Sequence, residues 1–89
     1  MNNNIIFTKK AEEHILFFKK TDKKILKRIN DLIENILETP YEGIGKPEEL
    51  KHKYKDCYSR RINKKHRLIY KIDNDDLIIL SCKCHYDDK

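Results

Sequence analysis

The sequence predicts an α+β domain in which two N-terminal helices pack on one face of a small antiparallel sheet. Three observations carry this expectation. Apolar residues recur at helical spacing as far as Leu37, and alternate residues become apolar from Cys57 onward. Between the two regimes lies Pro40-Tyr41-Glu42-Gly43-Ile44-Gly45-Lys46-Pro47, which holds every Gly and Pro of the chain and so reads as its one long loop.

The elements follow in order. Residues 4–7 read as a short strand. Thr8 is placed to cap a helix whose apolar positions Ala11, Ile15 and Phe18 keep helical spacing. Thr21-Asp22 caps a second helix, on which Ile25, Leu26, Ile29, Leu32, Ile33, Ile36 and Leu37 form a continuous stripe that ends at Thr39-Pro40. Residues 57–62, 66–72 and 77–84 read as three strands of an antiparallel meander, joined by Asn63-Lys64-Lys65 and by a four-residue turn at 73–76. The helices cover one sheet face and leave the other free to bind.

Eighty-nine residues make a single domain, 1–89, near the small end of what one core supports. With 38% hydrophobic and 39% charged residues, the composition suits a compact, highly charged fold and neither a disordered nor a collagenous chain. The net charge of +5 favours an anionic partner: RNA, DNA, an acidic protein or a membrane surface. No basic segment followed by a long apolar run opens the chain, and no stretch approaches the ~20 apolar residues of a membrane helix, so the cytoplasm is the expected compartment. Cys57, Cys82 and Cys84 are odd in number and are expected to stay reduced there. Cys82-Lys83-Cys84-His85 lacks the further ligand pair that would complete a zinc site, so no metal is expected.

Three of the four arginines, Arg60, Arg61 and Arg67, fall within eight residues in a chain whose other cations are sixteen lysines. A local switch from lysine to arginine calls for the planar, bidentate fork, whose natural partner is a phosphate or a carboxylate. If the first hairpin closes through its three-residue turn, Arg61 lies opposite Arg67 on one face. Like charges across a ladder are unfavourable, and an anion between them would relieve the cost. The competing role is pairing with helix carboxylates. Glu48 and Glu49 end the loop just before Leu50-Lys51-His52, where a carboxylate near a basic patch suits a general base and a histidine suits a proton donor. His85-Tyr86 adds a group that exchanges protons near neutral pH and a ring that stacks on a base. His14, His52 and His66 receive no role from pattern alone. No Gly-rich phosphate loop, GxSxG or carboxylate cluster for Mg²⁺ is present, so the chemistry read here needs no cofactor.

With these residues laid out, the chain resembles the YoeB-type toxins of the RelE superfamily, ribosome-dependent mRNA interferases of bacterial toxin–antitoxin pairs. The resemblance runs through Thr21-Asp22-Lys23, Thr39-Pro40-Tyr41-Glu42-Gly43, Gly45-Lys46-Pro47-Glu48 and Leu50-Lys51-His52. It continues in Ser59-Arg60-Arg61-Ile62, His66-Arg67-Leu68-Ile69-Tyr70 and His85-Tyr86, covering about residues 5–86. It implies a microbial-ribonuclease-like fold and cleavage of mRNA in the ribosomal A site. The family's catalytic glutamate falls on Glu48, its transition-state arginine on Arg67, and its terminal histidine and tyrosine on His85 and Tyr86. Lys51 and Arg61 match its basic residues near the scissile phosphate, with His52 and Arg60 beside them as further substrate contacts. The implied partners are mRNA on the ribosome with its ribosomal RNA, and an acidic, partly disordered YefM-like antitoxin. A homodimer is compatible with the resemblance, DNA is met only through the toxin–antitoxin complex, and no membrane is involved.

Two departures stand out: Tyr58 occupies a position commonly Trp in relatives, and Asp87-Asp88-Lys89 extends past the His-Tyr pair. Two other functions compete. One is a toxin of the same fold that binds and poisons a protein target, the other a degenerate toxin acting as corepressor with its antitoxin. A regular four-residue turn at 73–76 would put Tyr86, not His85, on the face of Arg67, so a bulge in the last strand or action of His85 from beyond its end is required.

Overall fold

A computed structural model of the chain describes residues 4–83. Strand β1 (Ile5–Phe7) leads into α1 (Lys9–Thr21) and α2 (Lys23–Glu38). Then come β2 (Glu48–Glu49), a single 3-10 turn (His52–Tyr54), β3 (Tyr58–Arg61), β4 (Arg67–Asp73) and β5 (Asp76–Ser81). All strands join one sheet in the order β1-β5-β4-β3-β2.

Each helix begins where its capping residue predicts. Thr8 Oγ1 accepts from the Ala11 N–H at 3.1 Å. Asp22 serves both helices: its N–H closes α1 on the Phe18 carbonyl, and its Oδ1 accepts from the Lys24 and Ile25 N–H groups that open α2. The α2 stripe buries Ile29, Leu32, Ile33 and Ile36 against Ile62, Leu68, Tyr70, Leu77 and Ile79 of the sheet, with Ala11 and Phe18 of α1 completing the core. Each large aliphatic side chain contributes about 1.5–3 kcal/mol by leaving water.

The sheet departs from the expected meander in three places. First, β1 pairs with β5 in parallel, Ile5 beside Leu77 and Phe7 beside Ile79, so the sheet is mixed. Alternation marks a strand but not its direction, and the two-helix connection leaves the first strand free to enter either way. Second, Glu48-Glu49 leaves the loop as a short edge strand, pairing with Ser59 and Tyr58. Third, the β4–β5 turn is two residues long, with Asp73 opposite Asp76 and Asn74 and Asp75 at φ 53° and 69°. This is the type I′ geometry whose twist suits a hairpin. A bulge then follows: Tyr70 pairs with Ile79, but Ile69 pairs with Ser81. The extra residue on β5 inverts its side-chain parity, so Leu77, Ile79 and then Cys82 reach the helix-side core.

The second sheet face is only partly open. Leu50 and Cys57 close a loop through the Leu50 N–H and the Cys57 carbonyl at 2.9 Å, and with Ile69 they bury a small satellite core flanked by Tyr54 and Leu80. The segment 50–57 therefore covers the middle of a face that the sequence left wholly free.

The loop 39–45 is organised by one side chain. Arg60 is 0% exposed, on the helix side of β3. Its Nε–H donates to Tyr70 Oη at 3.2 Å. One Nη donates to Asn35 Oδ1 and the Ile44 carbonyl, the other to the carbonyls of Thr39 and Glu42. All five guanidinium N–H bonds are thus engaged. Burial pushes the Tyr70 phenol up, against the opposing pull of Arg60, and its O–H donates to the Pro40 carbonyl at 2.6 Å. The loop lies so close to this group that Gly43 and Gly45, both at positive φ, have no room for a side chain. A Cβ on Gly43 would meet Asn35 Oδ1 at 2.0 Å, and one on Gly45 would meet Leu32 Cδ2 at 2.8 Å.

Arg60→Met removes the five hydrogen bonds of a fully buried guanidinium and should lower the unfolding free energy by about 3–5 kcal/mol, enough to unfold a marginal domain. Arg60→Lys, with three donors on a point charge, should lose about 2 kcal/mol or more. The exposed neighbour change Arg61→Met should stay within about 0.5 kcal/mol. Urea denaturation of the three variants measures the contrast.

Candidate active site

Pairing across three strands assembles the site. Glu48 on the edge strand β2 is opposite Ser59 on β3, and Ser59 is opposite Ile69 on β4. Ile69 belongs to the satellite core on the face away from the helices. Arg61 and Arg67 are paired with each other, two residues along from Ser59 and Ile69, and so share that face with Glu48. With strands ~4.8 Å apart and ~3.4 Å per residue, the Cα of Glu48 lies roughly 8 Å from that of Arg61 and roughly 12 Å from that of Arg67. Side chains of this length can meet on one group the size of a phosphate.

Local chemistry fixes each member. The Gly45 carbonyl accepts from the Arg61 N–H at 2.6 Å, which ties the loop to β3 and delivers Glu48 to the sheet edge. Arg67 Nη1 donates to the carbonyls of Asn63 at 2.9 Å and of Lys64 and His66 at 3.3 Å, so the guanidinium is held on the β3–β4 turn. That turn is itself locked by Asn63 Oδ1, which accepts from the N–H groups of Lys65 and His66. Lys51 and His52 are exposed, on the loop pinned by buried Leu50, and His52 takes φ 61°. Among the described residues neither Arg61 nor Arg67 is paired with a helix carboxylate. Arg61 and Arg67 thus stand directly opposite each other on the ladder, the placement in which like charges are unfavourable.

Arg60 requires correction as a substrate contact. It shares β3 with Arg61 but faces the opposite way, and its guanidinium is fully enclosed by the loop and α2. The parity was available in the sequence, because Arg60 alternates in step with the apolar Ile62. His85 and Tyr86 lie outside the described residues. Of the unassigned histidines, His66 is buried with its ring edge-on to Phe18 at 5.0 Å. His14 Nδ1 accepts from the Cys82 N–H at 3.1 Å, a contact no periodicity announces. Burial pushes the Cys82 thiol up to about 12, which fits a core residue. Among the described residues no three His, Cys, Asp or Glu side chains are grouped to hold a metal ion.

The family model for YoeB-like toxins of bacterial type II toxin–antitoxin systems matches residues 7–86. The chain belongs to this YoeB family of bacterial toxins. It is 51% identical to toxin YoeB of Synechocystis over 82 residues, 92% of this chain and 95% of that protein. It also resembles the toxin in the heterotetrameric YoeB–YefM complex of Staphylococcus aureus, at 46% identity and TM-score 0.87, covering 97% of this chain and 100% of that one. The S. aureus YoeB dimer superposes with TM-score 0.89 at 46% identity, with the same coverage. Within this family toxin, Tyr58, the residue read as a departure, sits between Tyr41 at 4.8 Å and Tyr70 at 6.1 Å between ring centroids. The smaller ring thus keeps an aromatic stack behind the loop.

Because like charges directly across a ladder are unfavourable, neutralising one of Arg61 and Arg67 should slightly stabilise the isolated toxin. Arg61→Gln should raise the unfolding free energy by about 0.2–0.5 kcal/mol at low salt, and the gain should shrink as salt screens the pair. Thermal melts at low and high ionic strength check both parts.

Proposed function

We propose that this YoeB family toxin is a ribosome-dependent endoribonuclease that cuts mRNA in the A site and so stops translation. The single observation that carries the reading is the ladder register that brings Glu48, Arg61 and Arg67 to one exposed face. A carboxylate beside two guanidiniums that repel each other is arranged for a reaction in which a proton leaves and negative charge grows on a phosphate.

In this mechanism Glu48 takes the proton from a ribose 2′-OH. The 2′-oxygen forms a bond to the adjacent phosphorus while the bond from phosphorus to the 5′-oxygen breaks. Arg67, with Arg61 and Lys51, neutralises the charge growing on the non-bridging oxygens, the part a bound cation would otherwise play. The anchoring of Arg67 Nη1 on three turn carbonyls holds its position before substrate arrives. By family resemblance His85 gives the proton that the departing 5′-oxygen needs, and Tyr86 stacks on or orients a displaced base. His52, exposed beside Lys51, is a substrate contact. The products are a 2′,3′-cyclic phosphate and a 5′-hydroxyl end. RNA alone has the nucleophile.

An acidic YefM-like antitoxin is the proposed cellular partner, as the S. aureus relative's complex suggests, and a homodimer is proposed on the same footing. Such a partner would cover the basic face and silence the enzyme.

Programmed ribosomes carrying a defined A-site codon provide the test. Native toxin should cut there, and a 2′-deoxy substitution at the cleaved nucleotide should abolish the cut. Glu48→Gln should slow cleavage by about 10²–10⁴-fold and Arg67→Gln by about 10²–10³-fold, with both variants folded by circular dichroism. Cleavage by Glu48→Gln at the native rate rules out this base. Growth arrest without any cleavage by the native chain points instead to a poisoned protein target.

A further inference from the structure

Around the β5 bulge, backbone groups of the strand are held by Thr8, which caps α1, and by His14 within it. Thr8 Oγ1 donates to the Leu80 carbonyl at 2.9 Å, and the Thr8 N–H donates to the Ile79 carbonyl at 3.1 Å. Just past the bulge, the Cys82 N–H donates to His14 Nδ1 at 3.1 Å. Between these two attachments Ala11 is 0% exposed, and its small side chain lets the helix lie close to the strand. Cys82 Sγ lies 4.0 Å from the Ala11 carbonyl. Thr8 and His14 therefore grip the segment in which β5 changes parity, one on each side of Ser81. The chain reaches the His85-Tyr86 pair three residues after Cys82.

We propose that His14 is a positioning residue for the toxin's reaction, holding the Cys82 N–H so that the bulge keeps its register and β5 ends in one geometry, three residues before His85 in sequence. The inference rests on the endoribonuclease reading above. An imidazole accepts at Nδ1 only while that nitrogen is unprotonated. The groups around His14 keep it so near neutral pH. Burial is the largest cause of its lowered pKa, and Lys10 on α1, Lys83 after β5 and His66 on the β3–β4 turn act in the same sense, with Glu13 on α1 opposing. The sign follows. The neutral form is the one the fold favours, so the contact is complete above 6.5 and is lost as pH falls through the lowered value.

The experiment compares native toxin, His14→Ala and His14→Asn for single-turnover cleavage on programmed ribosomes across mildly acidic to neutral pH. The Cys82 amide is followed in parallel by ¹H–¹⁵N NMR on the free toxin. Asn offers a carbonyl oxygen near the Nδ1 position and does not titrate. His14→Ala should cleave about tenfold or more slowly near neutral pH, with the fold intact by circular dichroism. His14→Asn should recover the rate to within about threefold and lose the acid limb that His14 imposes, leaving any limb due to Glu48. In the native chain the Cys82 amide should shift with the same midpoint as that limb. A native rate and pH profile in His14→Ala overturns the proposal. Should His14→Ala fail to fold, an unchanged acid limb in His14→Asn overturns it instead. If the native chain does not cleave, the endoribonuclease reading and the role of His14 in it both fall. That outcome is distinguished from failure of the contact by the amide titration, which needs no activity: a Cys82 amide blind to His14 protonation refutes the contact itself.

Discussion

The buried Arg60 guanidinium is the interaction on which the rest of the molecule depends. It is a fully enclosed cation whose five N–H bonds all end on neutral oxygens. Its compensation comes from dipoles: the Asn35 side chain, the carbonyls of Thr39, Glu42 and Ile44, and the Tyr70 phenol. Thr39 caps the C-terminus of α2, so the negative end of the helix dipole points into the same pocket. A guanidinium can do this because its donors are splayed in a plane and reach two segments at once. The loop 39–45 has little apolar surface to bury, and this hub supplies what holds it. The loop in turn hands Glu48 to the sheet edge through the bond between the Gly45 carbonyl and the Arg61 N–H. A stability element on one side of β3 thereby sets the geometry of the candidate site on the other.

Charge is sorted along the strands. The β3–β4 turn carries Lys64, Lys65 and the arginine pair, and Arg28 of α2 reaches the Arg61 carbonyl at the same end. The opposite end carries Asp73, Asp75 and Asp76 of the β4–β5 turn. Near it Glu49, Asp56 and Asp73 line a cleft of 450 Å³ with Tyr41 and Tyr58, and Lys71 is its one cation among the described residues. The β3–β4 turn is thus locally basic and the β4–β5 turn locally acidic, in a protein of net charge +5 that favours anions as a whole. The satellite core of Leu50, Cys57 and Ile69 divides the open sheet face between these poles and keeps Lys51 and His52 on the rim.

Much of this was legible in the residues. Thr8 and Asp22 act as caps because an N-cap is a local device that short-range chemistry defines. The α2 stripe became the core because helical spacing leaves it no other use. Arg61 and Arg67 stand opposite each other because the turn between them is short. Arg60 was misplaced as a substrate contact because adjacency in sequence suggests one cluster, whereas a strand sends neighbours to opposite faces. The parallel β1 and the two-residue β4–β5 turn were not legible, since each depends on how distant segments meet, and the bulge was legible only as one of two alternatives.

The sequence by itself determined the two-layer α+β class, the helices and their limits, the helix-side core stripe and the match of its motifs to the family. These follow from spacing, caps and residue chemistry, which act within a few residues. The tertiary structure alone decided the mixed sheet, the enclosure of Arg60, the tie between His14 and Cys82, and the single face shared by Glu48, Arg61 and Arg67. Those features arise from hydrogen bonds between segments far apart in the chain, and a one-residue shift in register would move every such side chain to the other face.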